Sequence, residues 1–235
     1  ASTVSCAAKS AFHRTFARRL AGIRAPITTK LESRVSDLVG MIESEYTRAA
    51  YPDVFESLLA IHRAQGKSLR QHTREEGWAQ VDILDISVEK GGSSVLADAY
   101  LAKGWLTQGE AEFAFGYGVF LQFIDDLQDV DEDLRNGHQT LFTLVAAKGA
   151  LDGIANRLYR FLNQVLASSD LDSLHRSTPL VELVGRSCRC LILESIARNS
   201  KLFSNSYVRA AERYSPLRFD HMRKIHGEMK AKEKR

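Results

Sequence analysis

GVFLQFIDDLQDVDEDLRNGHQTLFT, residues Gly118–Thr143, decides how this chain is read. Phe120, Phe123 and Ile124 form an apolar approach to Asp125, Asp126 and Asp129, and Leu127 continues that side. Positions i and i+4 share one face of a helix, so this spacing predicts that Asp125 and Asp129 point the same way, with Asp126 close by. Crowded carboxylates repel, and Asp is a mediocre helix former. A helix that carries them beside bulky apolar residues is best explained by a hard divalent cation. Mg²⁺ prefers oxygen ligands, keeps several waters and is typically shared between one or two carboxylates and a substrate phosphate. The alternating Asp129, Asp131 and Asp133 suggest a calcium loop, but that loop needs Gly at its sixth position and Glu at its twelfth. Leu134 and Thr140 stand there, which excludes it.

Working outward, the chain reads as helix throughout, and no alternating strand pattern of useful length appears. Thr107 and Glu110 have capping-box spacing ahead of the apolar run that leads to Asp129. Upstream, the spacing predicts helices over Leu31–Arg48 and from Asp53 onward behind Pro52. A long helix capped by Ser68 should run towards Glu89 and end at Gly91 and Gly92, followed by a short helix over Val95–Lys103. Downstream, a loop is expected over Asp133–Gln139, then helices over Leu141–Lys148 and Leu151–Ala167. Ser168, Ser169 and Asp170 read as a linker. A long helix from Pro179 to about Ser200 and a last one after Pro216 complete the expectation. Phe12, Phe16, Leu20 and Ile23 make an apolar stripe at helical spacing near the start.

The stretch FLQFIDDLQDVDEDLRNGHQTLF resembles the second aspartate-rich motif of the trans-prenyl diphosphate synthases, in the class I isoprenoid synthase superfamily. In that pattern Phe-Gln precedes DDxxD, and a Gly-Lys-x-Thr-Leu loop follows. Here Gln122 precedes Asp125, Asp126 and Asp129, and Gly137, His138, Gln139, Thr140 and Leu141 follow. His138 stands where the family has lysine, and a histidine is mostly neutral near pH 7. EKGGSSVLADAYL, Glu89–Leu101, resembles the family segment whose lysine binds diphosphate in a broken helix. Lys90 would be that lysine, Gly91 and Gly92 the break, and Ser93 and Ser94 nearby hydroxyls. AQGKSLRQHT, Ala64–Thr73, resembles the helix that carries a family glutamine, a role open to Gln65 or Gln71. The family's first aspartate-rich motif has no counterpart before Asp125. Asp82 and Asp85 do not form one, and Arg18 with Arg19 echoes only the arginine pair that follows it. Either part of the natural protein precedes this sequence, or the chain is a divergent member with half a metal site.

The resemblance implies a single-domain all-α bundle around a central pocket, with Asp125, Asp126 and Asp129 as Mg²⁺ ligands at the pocket rim. Lys90, Gln122, Ser93, His138 and one of Gln65 or Gln71 would serve the substrate. Phe115, Phe120 and Phe123 would be tail wall or ordinary core. The implied activity is head-to-tail chain elongation, joining an allylic prenyl diphosphate to isopentenyl diphosphate. The all-Asp form of the motif favours elongation over cyclisation or head-to-head coupling on the same fold. A non-catalytic, prenyl-diphosphate-binding partner subunit is the reading from a different class. A homodimer or a heteromeric partner would fit either.

Composition agrees with an ordinary globular chain: 235 residues, 44% hydrophobic and 26% charged. The net charge of +3 suits an anionic small substrate but is not a nucleic-acid signature. Cys6, Cys188 and Cys190 form no disulfide framework and no zinc site, as expected of thiols in a reducing, cytoplasmic setting. No apolar run reaches the roughly 18 residues of a membrane span. Residues 1–30 are free of acid and rich in Ser, Ala and Arg, a composition that an organellar transit peptide shares with a packed basic helix.

Overall fold

In the computed structural model, which describes residues 6–69, 79–167 and 178–233, the regular structure is helical throughout. The helices are α1 (Cys6–Leu20), α2 (Lys30–Glu45), α3 (Pro52–Ser68), α4 (Gln80–Lys103), α5 (Gln108–Gln128), α6 (Val130–Asn136), α7 (Leu141–Ala146), α8 (Asp152–Ala167), α9 (Thr178–Arg198), α10 (Asn205–Glu212) and α11 (Phe219–Glu233). A 3₁₀ turn, Ser200–Leu202, follows α9. No strand occurs among the described residues, so the chain is all-α. None of these helices is long and apolar enough to cross a membrane. Gln71 and the expected linker at Ser168–Asp170 lie outside the described residues.

Local chemistry accounts for most helix ends. Thr107 caps α5 and forms the expected box with Glu110, which also pairs with Lys103 at 2.7 Å. Thr29 does the same for α2 with Glu32, and Pro52 sits in the first turn of α3. Ser68 is the last residue of α3, not the cap of a new helix; its hydroxyl donates to the Gln65 carbonyl at 2.9 Å. The expected loop after Asp133 begins later, because α6 runs on to Asn136. It stops at Gly137, whose φ of 69° places it in the left-handed region that favours glycine. Thr140 then caps α7, so two residues of the quoted motif act as a helix stop and a helix start.

The largest departure concerns Gly91 and Gly92. They do not break the chain's path: α4 runs unbroken from Gln80 to Lys103. Their lack of a side chain serves packing instead. A Cβ on Gly91 would lie 2.6 Å from the Gly118 carbonyl oxygen and 2.5 Å from Gln122 Cβ, and one on Gly118 would lie 2.2 Å from the Gly91 oxygen. A Cβ on Gly92 would lie 2.4 Å from the Phe115 ring. α4 and α5 therefore cross backbone to backbone, at a place where only glycine fits. α4 also packs on α3 and, more slightly, on α7.

The main core lies on the other side of α5. Phe120, Ile124, Leu127, Phe142, Leu158 and Ile192 join α5, α7, α8 and α9, and Phe219 adds α11. A smaller cluster of Leu20, Val35 and Val39 holds α1 and α2 together, with Phe12 and Phe16 packed on it. α1 is thus a packed helix; Ile23 falls beyond its end and is half exposed.

One buried side chain ties the end of α5 into this core. Asn199, 2% exposed, donates from Nδ2 to the carbonyls of Leu127 at 2.9 Å and Gln128 at 3.2 Å. The last carbonyls of a helix have no partner within it, so a buried donor there replaces water. Asn199→Ala should cost about 3 kcal/mol, because two acceptors lose their donor in a site closed to solvent. Urea denaturation measures this; a change below about 1 kcal/mol would mean that water reaches the site.

Candidate functional site

The acids of the 118–143 stretch separate into groups once the helices are drawn. Asp131, Glu132 and Asp133 occupy the first turn of α6, where negative charge complements the helix dipole. Asp131 is paired with Lys201 at 2.6 Å. Asp129 ends α5 as its C-cap, with φ −97° and ψ 4°, and its backbone N–H still donates to the Asp125 carbonyl at 3.0 Å. Its carboxylate meets the Arg198 guanidinium at 3.2 Å. Helix termini and ion pairs account for these four acids. Asp125 and Asp126 remain.

Asp126 is the unusual one. It is 6% exposed, and its Oδ1 accepts a hydrogen bond from Gln122 Nε2 at 2.7 Å, one helical turn back. Its Oδ2 is buried with no hydrogen-bond partner among the described residues. Burial pushes the carboxyl up to about 7; the Gln122 bond and the Lys90 ammonium pull it down, and Asp125 and Asp133 add to the rise. Asp125, more exposed, is also raised by burial and by Asp129, and lowered by Lys90. Lys90, from α4, thus acts on both carboxylates across the glycine crossing. That crossing puts the Gln122 side chain against Gly91, the residue next to Lys90.

His138 completes the neighbourhood. Its Nδ1 lies 3.1 Å from Asp133 Oδ1, and this bond raises its pKa above the ordinary histidine value; burial opposes the rise. Asp133 thus favours the protonated ring more than water would, and burial works against it. Gly137 turns the chain and brings His138 back towards α6, where its backbone N–H donates to the Asp133 carbonyl at 2.9 Å.

Other expected site residues are placed differently. Ser93 is 3% exposed, and its hydroxyl donates to the Glu89 carbonyl at 2.5 Å, inside its own helix. Gln65 is exposed near the end of α3. Phe120 is wholly buried in the main core, Phe123 packs edge-on to Phe142 and Phe161, and Phe115 lies over Gly92. Two participants, Asp133 and Arg198, are not among the expected site residues. Arg198 is far from Asp129 along the chain, so no local spacing links them.

Among the described residues, no three His, Cys, Asp or Glu side chains are arranged to hold a metal ion. The unpartnered Asp126 oxygen with Asp125 beside it does fit a cation that draws its other ligands from water and phosphate, as Mg²⁺ does. A cavity of about 580 Å³ opens elsewhere, between α8, α9 and α10, and none of these acids lines it. Compared with family models, curated proteins and solved structures, the chain gives no match.

Proposed function

We propose that this chain is a Mg²⁺-dependent prenyltransferase that binds an allylic prenyl diphosphate and joins it head to tail to isopentenyl diphosphate. The observation that carries this reading is Asp126: a buried carboxylate with one free oxygen, beside a second acid and within the field of a lysine from the crossing helix. Such a group is costly for an apo fold and suits a site completed by a charged ligand. Asp125 and Asp126 would hold the metal. Asp129, also expected as a ligand, would have to leave Arg198 to join them. When bound, Mg²⁺ neutralises the diphosphate and makes it a better leaving group. Lys90 and His138 would bind diphosphate oxygens, and Gln122 would hold Asp126 in orientation.

The Asp129–Arg198 pair favours one other reading, a partner subunit that binds prenyl diphosphate without turning it over. Pyrophosphate release from geranyl, farnesyl and geranylgeranyl diphosphates, each with and without isopentenyl diphosphate, separates the readings. Turnover that requires isopentenyl diphosphate is the expected result. Turnover of the allylic substrate alone would mean cyclisation, coupling or hydrolysis. Mg²⁺-dependent pyrophosphate binding without turnover would favour the partner subunit, and pyrophosphate binding that ignores Mg²⁺ would overturn the metal assignment.

A further inference from the structure

The cavity between α8, α9 and α10 has no part in the site above, and its chemistry differs. Its floor is aliphatic, with Ile192 and Ile196 buried at 4% and 2% exposure and Leu193 beside them. Ala211 lines it from α10, and the Tyr207 hydroxyl, from the same helix, donates to Asn156 of α8 at 2.9 Å. Tyr159 and Tyr214 stand at the wall and are 44% and 83% exposed, so the space opens to solvent. Its volume of about 580 Å³ lies inside the range of small-molecule sites, roughly 300–1,000 Å³.

Among the described residues, one cation lines this apolar space. Arg189 of α9 donates from Nη2 to the neutral Asn163 Oδ1 at 3.2 Å. Its Nε is buried without a partner, and no carboxylate among the described residues pairs with it. A guanidinium has five N–H donors and keeps its charge at all accessible pH. A guanidinium whose recorded partner is a neutral amide leaves its charge uncompensated at the edge of an apolar cleft, where an anion can take up its remaining terminal N–H donors.

We propose that this cleft is a second ligand site, which takes a small amphipathic anion: one carboxylate or phosphate head on Arg189, and an aliphatic chain over Ile192, Leu193 and Ile196. The apolar floor supplies affinity through buried area, and the single cation sets the orientation. The site is independent of the proposed prenyltransferase centre, since it shares no residue with it and needs no metal.

Titration calorimetry on the full chain tests this with decanoate, decyl phosphate and decanol, each below its micelle-forming concentration, in buffer with EDTA. At least one anion should bind about tenfold or more tighter than decanol, the worth of a charge-assisted hydrogen bond. Decanoate alone would assign a carboxylate head, decyl phosphate alone a phosphate head, and either supports the site. Arg189→Gln should remove the preference for the anion, and Arg189→Lys should restore part of it. Ala210→Trp, at an exposed position that lines the cleft, should block all binding without disturbing the core. Asp126→Asn should leave these affinities unchanged. Equal affinity for decanol and the anions, no binding of any probe, or binding that is lost in Asp126→Asn but kept in Arg189→Gln would overturn the proposal.

Discussion

Gly118→Ala should destabilise the protein by about 3 kcal/mol or more, a large effect for one methyl group, because an added Cβ must displace backbone and not a flexible side chain. The new carbon would lie 2.2 Å from the Gly91 carbonyl oxygen and 3.0 Å from Val95 Cβ. Relief requires α4 and α5 to move apart, which opens contacts along both helices. Helix propensity works in the opposite direction and returns only about 1 kcal/mol. A chain of this size should then melt roughly 6–12 °C lower. Gly40→Ala is the matched control. Gly40 lies inside α2, and a methyl group there would meet nothing within 4 Å, so the same substitution should stabilise by about 0.5–1 kcal/mol. Thermal melts of the two variants should shift in opposite directions. If Gly118→Ala melts like the parent, α4 and α5 do not cross at bare backbone. The same crossing presents Lys90 to the acids of α5, so Gly118→Ala should also weaken any ligand that Lys90 and Asp126 share.

These glycines show where one-dimensional reading reaches its limit. Gly91 and Gly92 in mid-chain look the same whether they end a helix or let a neighbour approach, and only the partner at Gly118 decides between them. Signals with local causes are legible. The Thr107–Glu110 box, Pro52 at the start of α3 and the stripe of Phe12, Phe16 and Leu20 all depend on residues within a turn or two of one another. α10 leaves little trace in the sequence because NSYVRAAE is short and turns only Tyr207, Val208 and Ala211 to the core. The candidate site divides in the same way. The apolar approach to Asp125 follows from the pattern around that residue, whereas the burial of Asp126 beneath the α4 crossing does not. The pairing of Asp129 with Arg198 depends on α9 returning to the end of α5, a contact between distant segments that no spacing rule encodes. The His138–Asp133 contact spans just five residues, yet only the turn at Gly137 brings the two side chains together.

Asp126→Asn should separate activity from stability. The variant keeps an oxygen for the Gln122 hydrogen bond and keeps the shape, but loses the charge. If the proposed chemistry holds, turnover should fall about a hundredfold or more, because the lost carboxylate acts mainly on charge that develops in the transition state. Stability of the metal-free protein should move the other way. Burial holds the Asp126 carboxyl at about 7 against an ordinary value of 3.8, so between those values the native state binds more protons than the unfolded chain. Unfolding free energy from this group therefore falls as pH rises from about 4 to about 7, by roughly 1.4 kcal/mol per unit and about 4 kcal/mol at most. Its contribution is fully present below pH 4 and gone above pH 7. Asp126→Asn has no such slope and should exceed the parent by about 2–4 kcal/mol at pH 8, while the two converge near pH 4. Urea denaturation at a series of pH values, in EDTA, measures the difference directly. Asp125→Ala should lower turnover similarly but change the pH dependence less, because Asp125 is more exposed. A carboxylate placed only for packing would lose stability when altered and leave turnover per folded molecule unchanged. One retained at the expense of the fold should gain stability and lose turnover, a trade expected at a functional site.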